Sequence, residues 1–162
     1  MSTNNLRTGV GVDAHKFAQS PSAGPCHLAG LEWPESNRLE GHSDGDAAVH
    51  ALCDAVLAAA GLGDVGQVFG IDKPEWQGAS GVKMIEHLRT LISEKGIEIN
   101  NVSIQIVGNT PKIAKRRDEA QQVLSKALGA PVTIGATTTD TMGFTGRGEG
   151  VFVIANALVR LP

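Results

Sequence analysis

The segment VFVIANALV, residues 151–159, is apolar at every position except Asn156. Its length and its branched side chains predict a β-strand, and a strand that is apolar on both faces must be covered on both faces. We expect helices to cover one face. The second cover is either another layer of the same chain or a neighbouring subunit, and the segment alone leaves both explanations open.

The rest of the chain alternates between strand and helix patterns. Period-two alternation predicts strands at 7–12, 102–107 and 132–137, and helical spacing predicts helices at about 46–60, 80–95 and 120–128. Residues 18–41 are predicted to form a loop or a short hairpin, and 64–78 to be irregular. We therefore expect one domain over residues 1–162, with 1–6 as a disordered tail.

Composition excludes several classes of function. The 162 residues carry a net charge of −3, which lacks the basic surplus that nucleic-acid binding requires. The one basic run, 112–117, is predicted to be a solvated helix start. No apolar run is long enough for a membrane span, so no membrane association is expected. Two cysteines, Cys26 and Cys53, without a disulfide framework suit the cytoplasm.

Three ionisable groups share one stripe of the predicted helix 46–60. Asp46, His50 and Asp54 are spaced four residues apart, and burying them is costly unless they bind something. Asp54 is predicted to accept the second ring N–H of a metal-bound His50. Asp46 is either a second orienting group or an acid favoured by the helix start. The alternative is a solvent-facing stripe with ordinary pairs.

A second acidic and histidine pair follows the first predicted strand. Asp13 and His15 lie on one side of an extended chain, because successive side chains alternate. Together with His50 they would supply three of the four tetrahedral positions that zinc prefers, which leaves one open as in catalytic sites.

The segment GHSDG, residues 41–45, fits the nucleophile elbow of serine hydrolases. The hydrolase hypothesis uses Ser43 with His87 and either Asp64 or Asp72. It also needs a buried strand directly before the elbow, and SNRLE is a poor candidate for one. A hydrolase therefore stays open as the less favoured enzyme class.

Two glycine-rich segments raise the question of phosphate binding. Gly9, Gly11 and Ala14 imitate a dinucleotide fingerprint, but no helix follows at once, so we discount it. The loop 137–149 offers threonine hydroxyls, glycine N–H groups and Arg147 to a phosphate, although the loop alone favours a decorated turn between two strands. Metal candidates together with this loop favour a phosphorylated ligand held through cations.

Five segments resemble one known family, in the same order along the chain. They are DAH at 13–15, GHSDGDAAVHAL at 41–52, GLGDVG at 61–66, NTPKI at 109–113 and ATTTDTMGFTGRGEG at 136–150. The resemblance is to the 2-C-methyl-D-erythritol 2,4-cyclodiphosphate synthases of the non-mevalonate isoprenoid pathway, and it covers about residues 7–159.

The resemblance implies both a fold and a reaction. The fold is α+β, a mixed sheet with helices on one face and the other face packed around the threefold axis of a homotrimer, with active sites between subunits. The reaction converts 4-diphosphocytidyl-2-C-methyl-D-erythritol 2-phosphate into the cyclic diphosphate and CMP. The substrate's own 2-phosphate is the nucleophile, so the reaction needs none from the protein.

The resemblance also implies residue roles. Asp13, His15 and His50 would hold Zn²⁺, Asp140 would help hold Mg²⁺ or Mn²⁺, and His42 and Thr138 would be catalytic. The implied substrate-binding residues are Asp13, His15, His42, Ser43, Asp64, Val65, Gly66, Gly108, Asn109, Thr110, Pro111, Lys112, Ile113, Ala114, Thr137, Thr138, Thr139, Asp140, Phe144 and Arg147.

A further implied site, two departures from the family and one alternative function complete these roles. Phe144, Arg147 and Glu149 match an axial cavity that can hold an isoprenoid diphosphate. Asp140 stands where a glutamate is commoner, and FGIDKP at 69–74 departs from the family's more acidic FPDTDP, so no substrate contact is assigned there. A non-enzymatic trimer that binds a metal or an isoprenoid diphosphate is the alternative outside the enzymes.

Overall fold

A four-stranded mixed sheet with helices on one face forms the body of the chain. The computed structural model describes residues 5–20, 23–70 and 72–162. The elements in chain order are β1 Leu6–Lys16, β2 Pro25–Leu28, β3 Leu31–Asn37, α1 Ala47–Ala60, α2 Val65–Phe69, a 3₁₀ turn Pro74–Trp76, α3 Gly81–Glu94, β4 Glu98–Val107, a 3₁₀ turn Ile113–Lys115, α4 Arg117–Leu128, β5 Val132–Thr137, α5 Gly143–Gly146 and β6 Gly150–Arg160.

The last strand, β6, lies inside the sheet, whose order is β1-β6-β4-β5. It pairs antiparallel with β1 and β4, whereas β4 and β5 are parallel and are joined through α4. Asp13 lies opposite Val153, which in turn lies opposite Ile106. The register therefore places the C-terminal ends of β1, β4 and β5 at the same end of the sheet.

The two faces of β6 have different surroundings. Val151, Val153 and the residues that alternate with them are fully buried beneath the helices, which confirms the expected cover. On the opposite face Val10, Val12 and Ile154 are 59%, 53% and 40% exposed. The second apolar face predicted from the sequence is thus open in a single chain.

Several boundaries differ from the predicted ones. Leu6 already pairs with Arg160, so the expected disordered tail is too long by at least that residue, and residues 1–4 lie outside the described part of the chain. Strand β1 continues through Asp13 and His15, which were expected to follow it. Residues 18–41 contain the β2–β3 hairpin, which confirms the hairpin alternative of the two predicted for this segment.

The segment 64–78, predicted to be irregular, contains α2 and a 3₁₀ turn. Asp64 caps α2, since its Oδ1 accepts the Gln67 N–H at 2.9 Å. No helix in the described residues is both long enough and apolar enough to cross a membrane.

Helix α1 lies unusually close to β1 because two strand residues lack side chains. A Cβ built on Gly9 would be 2.2 Å from the Ala55 carbonyl oxygen, and one built on Gly11 would be 2.1 Å from the Ala51 carbonyl oxygen. Gly9 and Gly11 thus permit a close helix–strand contact, and the dinucleotide fingerprint they imitate has no structural counterpart. The contact brings the polar end of β1 against the start of α1.

Candidate active site

Asp13, His15 and His50 converge where β1 meets α1. His15 Nε2 is 2.8 Å and His50 Nδ1 is 3.0 Å from Asp13 Oδ2, and the two ring nitrogens are 3.2 Å apart. The first two residues share a face of β1, and the close approach of α1 supplies the third. The three side chains predicted as metal ligands are therefore brought together by the fold.

The electrostatics of this triad suit a cation. Burial would raise the pKa of Asp13, but hydrogen bonds and charge from the two histidines lower it below its ordinary value. Burial would also lower the pKa of His15, but the hydrogen bond and charge of Asp13 raise it above 6.5. The site thus holds one ionised carboxylate with two imidazole nitrogens aimed at it.

The donor set also fits zinc geometrically. The three ligand atoms lie within 4.8 Å of one another. Tetrahedral coordination with metal–ligand distances of about 2.0–2.1 Å places neighbouring ligand atoms about 3.3 Å apart, close to the separations observed. One carboxylate and two imidazoles are also ligand types that zinc takes in proteins. The residues present therefore fit a catalytic zinc ion.

The second nitrogen of His50 has a partner that sequence reasoning missed. Nε2 lies 2.8 Å from the Ser43 hydroxyl, while Nδ1 faces Asp13 and His15. When Nε2 carries the ring proton and donates a hydrogen bond to the Ser43 hydroxyl, the lone pair of Nδ1 points at the metal position. Ser43, only 4% exposed, is thus placed to orient the ring.

Asp54 and Asp46 hydrogen-bond to backbone N–H groups and not to the His50 ring, which differs from the partner predicted for Asp54. Asp54 Oδ1 accepts the Val65 N–H at 2.7 Å and so fastens the start of α2. Its half-buried carboxyl has a pKa raised mainly by burial. Helical spacing places Asp54 one turn from His50, but the neighbouring backbone N–H takes the carboxylate.

Asp46 is the N-cap of α1. Its Oδ1 accepts the N–H groups of Ala48 and Val49 at 3.1 Å, and also that of Ala29 at 2.9 Å, while Oδ2 accepts the Gly30 N–H at 2.7 Å. This fully buried carboxyl, whose pKa is raised by burial and by nearby Asp44, joins the helix to the turn of the β2–β3 hairpin. The alternative prediction, an acid at the helix start, is the closer one.

A cavity of about 300 Å³ opens beside His50. We call it the histidine cavity; it is lined by His42, Ser43, His50, Val65, Gly66, Phe69, Gly70, Asp72, Trp76 and Met84. His42 is exposed there. Its apolar wall of Phe69, Trp76 and Met84 was not predicted, since isolated aromatic residues in an irregular segment carry no periodic signal.

The hydrolase hypothesis built on His87 is not supported by its position. That ring packs edge-on against Phe69 and Trp76 at centroid distances of 5.7 and 4.9 Å. The base next to Ser43 is instead His50.

A separate cavity of about 170 Å³ lies at the ends of β4 and β5. We call it the threonine cavity; it is lined by Ile106, Gly108, Asn109, Thr110, Pro111, Lys112, Ile113, Ala114, Arg117, Ala136, Thr137 and Thr138. The basic run is therefore only partly a solvated helix start, because Lys112 and Arg117 line this cavity. Asn109 Nδ2 donates to the Gly146 carbonyl at 2.8 Å and thereby joins the segment after β4 to the segment before β6.

The predicted residues thus fall into two groups within one chain. His42 lies in the histidine cavity beside β1, and Thr138 lies in the threonine cavity beside β5. These strands are opposite edges of the sheet, three strand spacings or about 14 Å apart. The predicted ligand Asp140 is on the β5 side and outside the triad, with a Thr138 hydroxyl 3.4 Å from its Oδ1.

The remaining predicted residues lie on the loop that precedes β6. Thr139 holds this loop by donating to the Met142 carbonyl at 2.6 Å. Phe144 is 42% exposed, and exposed Arg147 pairs with Glu149 at 2.7 Å. These two residues are therefore available at the surface of a single chain.

Sequence and structure comparisons identify the family. The model of the YgbB family matches residues 6–160, nearly the whole chain. The chain belongs to the YgbB family. A 2-C-methyl-D-erythritol 2,4-cyclodiphosphate synthase from Cutibacterium acnes is 53% identical over 156 residues, which are 95% of this chain and 90% of that protein.

Two further similar proteins extend the comparison. The bifunctional enzyme IspD/IspF of Clavibacter michiganensis is 50% identical over 97% of this chain, which spans only 38% of that longer protein. The solved CDP complex of IspF from Plasmodium falciparum superposes with a TM-score of 0.80 at 27% identity, covering 99% of both chains. Family and fold thus agree across the whole chain.

Proposed function

We propose that the chain converts 4-diphosphocytidyl-2-C-methyl-D-erythritol 2-phosphate into 2-C-methyl-D-erythritol 2,4-cyclodiphosphate and CMP. It is an enzyme of the non-mevalonate isoprenoid pathway and acts as a phosphorus–oxygen lyase. The observation that carries the proposal is the convergence of Asp13, His15 and His50 beside a cavity in a member of the YgbB family.

We further propose a homotrimer with its active sites between subunits. Two observations support this arrangement. The apolar face of β1 and β6 is open in one chain, and an apolar surface of that kind is typical of an interface. The triad and the threonine cavity also belong to opposite edges of the sheet, and in the proposed trimer the threonine cavity of a neighbour faces the histidine cavity.

In the proposed site Asp13, His15 and His50 hold Zn²⁺, and Asp140 helps to hold Mg²⁺ or Mn²⁺. Bound cations supply neutralisation of the charge on the diphosphate. Ser43 keeps Nδ1 of His50 directed at the metal position through the bond at Nε2. Each of these groups acts by position, which is the main contribution a protein makes to phosphoryl transfer.

The protein's other residues fold the substrate so that its two ends meet. An oxygen of the 2-phosphate forms a bond to the β-phosphorus while the bond from that phosphorus to the oxygen bridging the α-phosphate breaks, and CMP leaves. His42 and Thr138 donate to phosphate oxygens as charge moves among them. The apolar wall of Phe69 and Trp76 accommodates the carbon skeleton.

The remaining substrate-binding assignments follow the two cavities. Ser43, Asp64, Val65 and Gly66 are proposed to contact the methylerythritol part. Residues 108–114 and 137–139 are proposed to hold the cytidine diphosphate end, a role supported by the CDP complex of the related Plasmodium protein.

Phosphorus NMR tests the proposal. The zinc- and magnesium-loaded protein should release CMP from the diphosphocytidyl substrate, and chelation should stop the release until metal is restored. His50→Ala should lose zinc and activity, whereas His27→Ala, in the β2–β3 hairpin, should keep both. Absence of CMP with both metals present would refute the proposed reaction.

A serine hydrolase is the second candidate, because one observation favours it. Ser43 Oγ, His50 Nε2, His50 Nδ1 and Asp13 Oδ2 form a relay with distances of 2.8 and 3.0 Å, as in a catalytic triad. However, the Ser43 side chain is almost fully buried and no strand enters the turn before α1. A fluorophosphonate probe should therefore leave Ser43 unlabelled; labelling would favour the hydrolase.

Two further assignments stay proposals. Phe144 and Arg147, exposed on the loop before β6, are proposed to meet an isoprenoid diphosphate in the axial cavity of the trimer. The cytoplasm is proposed as the compartment, since Cys26 and Cys53 are free, buried thiols. Burial raises the pKa of Cys26 to about 12, so it does not act as a reactive thiolate.

A further inference from the structure

Arg117 is a cation in the threonine cavity that the proposed function has not used. It is the first residue of α4, it is half-buried, and it lines the cavity together with Lys112 and Thr138. Neither the family motifs nor the helical pattern singles it out, because it lies in a basic run at a helix start.

Its hydrogen-bonding capacity is unfilled. The Arg117 Nε is buried and has no hydrogen-bond partner within the described part of the chain. A buried N–H without an acceptor costs free energy, and such groups in native proteins usually have a reason. The guanidinium thus belongs to a cavity-lining residue and has a donor that no described residue uses.

The neighbouring arginine, Arg116, has its own acceptors. Arg116 donates from Nε and Nη2 to both oxygens of Glu119 at 2.7 and 2.8 Å, donates to the Glu32 carbonyl at 2.7 Å, and stacks on Trp33. It fastens α4 to the hairpin. Glu119, one of the two carboxylates in the first turn of α4, is therefore committed to Arg116, and no salt bridge to Arg117 is found within the described residues.

Charge in the threonine cavity points to an anionic ligand. Its lining residues, all described, include two cations, Lys112 and Arg117, and no carboxylate, although the chain as a whole carries a net charge of −3.

We propose that Arg117 is a further substrate-contacting residue, which donates to a phosphate oxygen at the nucleotide end of the substrate. The inference rests on the proposed function, since it takes the threonine cavity as the site of the cytidine diphosphate group. Lys112 acts as a compact positive charge, whereas Arg117 adds a planar donor set that can bind two phosphate oxygens at once.

Isothermal titration of the metal-loaded trimer with CDP, CMP and cytidine tests this role. Arg117→Gln should raise the Kd for CDP about 10- to 100-fold, as expected for a lost charge-assisted hydrogen bond. Binding of cytidine, which has no phosphate, should stay within about twofold of wild type. Arg117→Lys should recover part of the loss, because it restores the charge but not the fork.

Lys115→Gln is the matched control. It removes one positive charge only two residues from Arg117 in the sequence. The Lys115 side chain is exposed and does not line the cavity, so CDP binding should be nearly unchanged. Melting temperature and size-exclusion light scattering establish that each variant is folded and trimeric. An equal loss in Lys115→Gln would attribute the effect to general electrostatics and overturn the inference.

Other outcomes are equally decisive. Unchanged CDP affinity in Arg117→Gln, an equal loss for cytidine, or dissociation of the Arg117→Gln trimer would each overturn the phosphate contact. If Arg117→Gln does not fold, Arg117→Lys is the deciding variant. A folded Arg117→Lys protein with wild-type CDP affinity and wild-type salt dependence would contradict a bidentate contact. Failure of wild type to bind CDP or release CMP would instead refute the proposed function.

Discussion

Adding one methyl group at Gly11 should both destabilise the fold and disrupt the metal site. The new Cβ would lie 2.1 Å from the Ala51 oxygen, 2.5 Å from the Ala55 nitrogen and 2.8 Å from the Asp54 Cβ. All three atoms belong to α1, and two are backbone. The clash is therefore relieved only if the helix moves away from β1.

The size of the movement follows from the distances. Real Cβ contacts are essentially never shorter than 3.0 Å, so α1 must retreat locally by at least 3.0 − 2.1 = 0.9 Å. Overpacking of this kind costs about 1–3 kcal/mol, and the loss of glycine's unfolded-state freedom returns about 0.4–1 kcal/mol. The expected net loss is about 1–2 kcal/mol, or a melting temperature lower by about 2–8 °C.

The same movement should weaken zinc binding. His50 is adjacent to Ala51 in α1, and its Nδ1 is 3.0 Å from Asp13 Oδ2 on β1. Metal–ligand distances tolerate about 0.2 Å, so a shift of 0.9 Å should weaken zinc affinity at least about tenfold. Thermal unfolding of chelator-treated protein measures the first effect, and competition with a chromophoric chelator measures the second.

Gly9→Ala provides the matched control. Its Cβ would meet the Ala55 oxygen at 2.2 Å and the Ala59 nitrogen at 2.3 Å, a clash of similar severity. Ala59 lies nine residues beyond His50, about 14 Å along the helix. We expect a similar loss of stability and a smaller loss of zinc affinity. A Gly11→Ala protein within about 0.5 kcal/mol of wild type, or equal zinc losses in both variants, would refute the reasoning.

Three further predictions concern the start of α1 and the metal site. Asp46→Asn should lower the free energy of unfolding in urea by about 1–3 kcal/mol, because an amide NH₂ would face the Gly30 N–H; an unchanged midpoint would contradict this. Ser43→Ala should weaken zinc binding about 10- to 100-fold in a chelator competition, through loss of the His50 Nε2 partner, whereas unchanged affinity would leave Ser43 no orienting role. In metal-free protein the raised pKa of His15 stabilises the fold at pH 6.5 and below, and urea unfolding should show this contribution disappear as the pH rises through that pKa. Zinc requires neutral His15, so its apparent affinity should fall as the pH is lowered through the same range; a pH-independent affinity would contradict the assignment.

The secondary structure was predictable wherever its signal is local and repeated. Strand β5 has the predicted bounds, and α1 ends before Gly61 in the left-handed conformation that a glycine stop provides. Strand β1 was predicted too short, since its polar end, DAHK, belongs to the site and breaks the apolar alternation. Helix α2 has only five residues, too few for a helical period to be visible.

The site was predictable in its residue types and less so in its contacts. Helical spacing places Asp46, His50 and Asp54 on one stripe of the helix. It carries no information about which groups of other elements contact that stripe. The hairpin turn brings the Gly30 N–H to Asp46, and α2 brings the Val65 N–H to Asp54. Backbone donors from distant segments therefore took both carboxylates that were expected to orient His50.

The sequence by itself determined the main helices and strands, apart from the polar end of β1 and the short α2, and that two apolar faces of β6 need cover. It also supplied the carboxylate and imidazoles from which a zinc site can be built. Only the tertiary structure decided that Asp13, His15 and His50 meet, that Ser43 directs the His50 ring, and that Arg117 lines a cavity. Periodicity is a local property that assigns a side chain to a face. Contact depends on the distance between faces, which Gly9 and Gly11 set here by letting α1 approach β1.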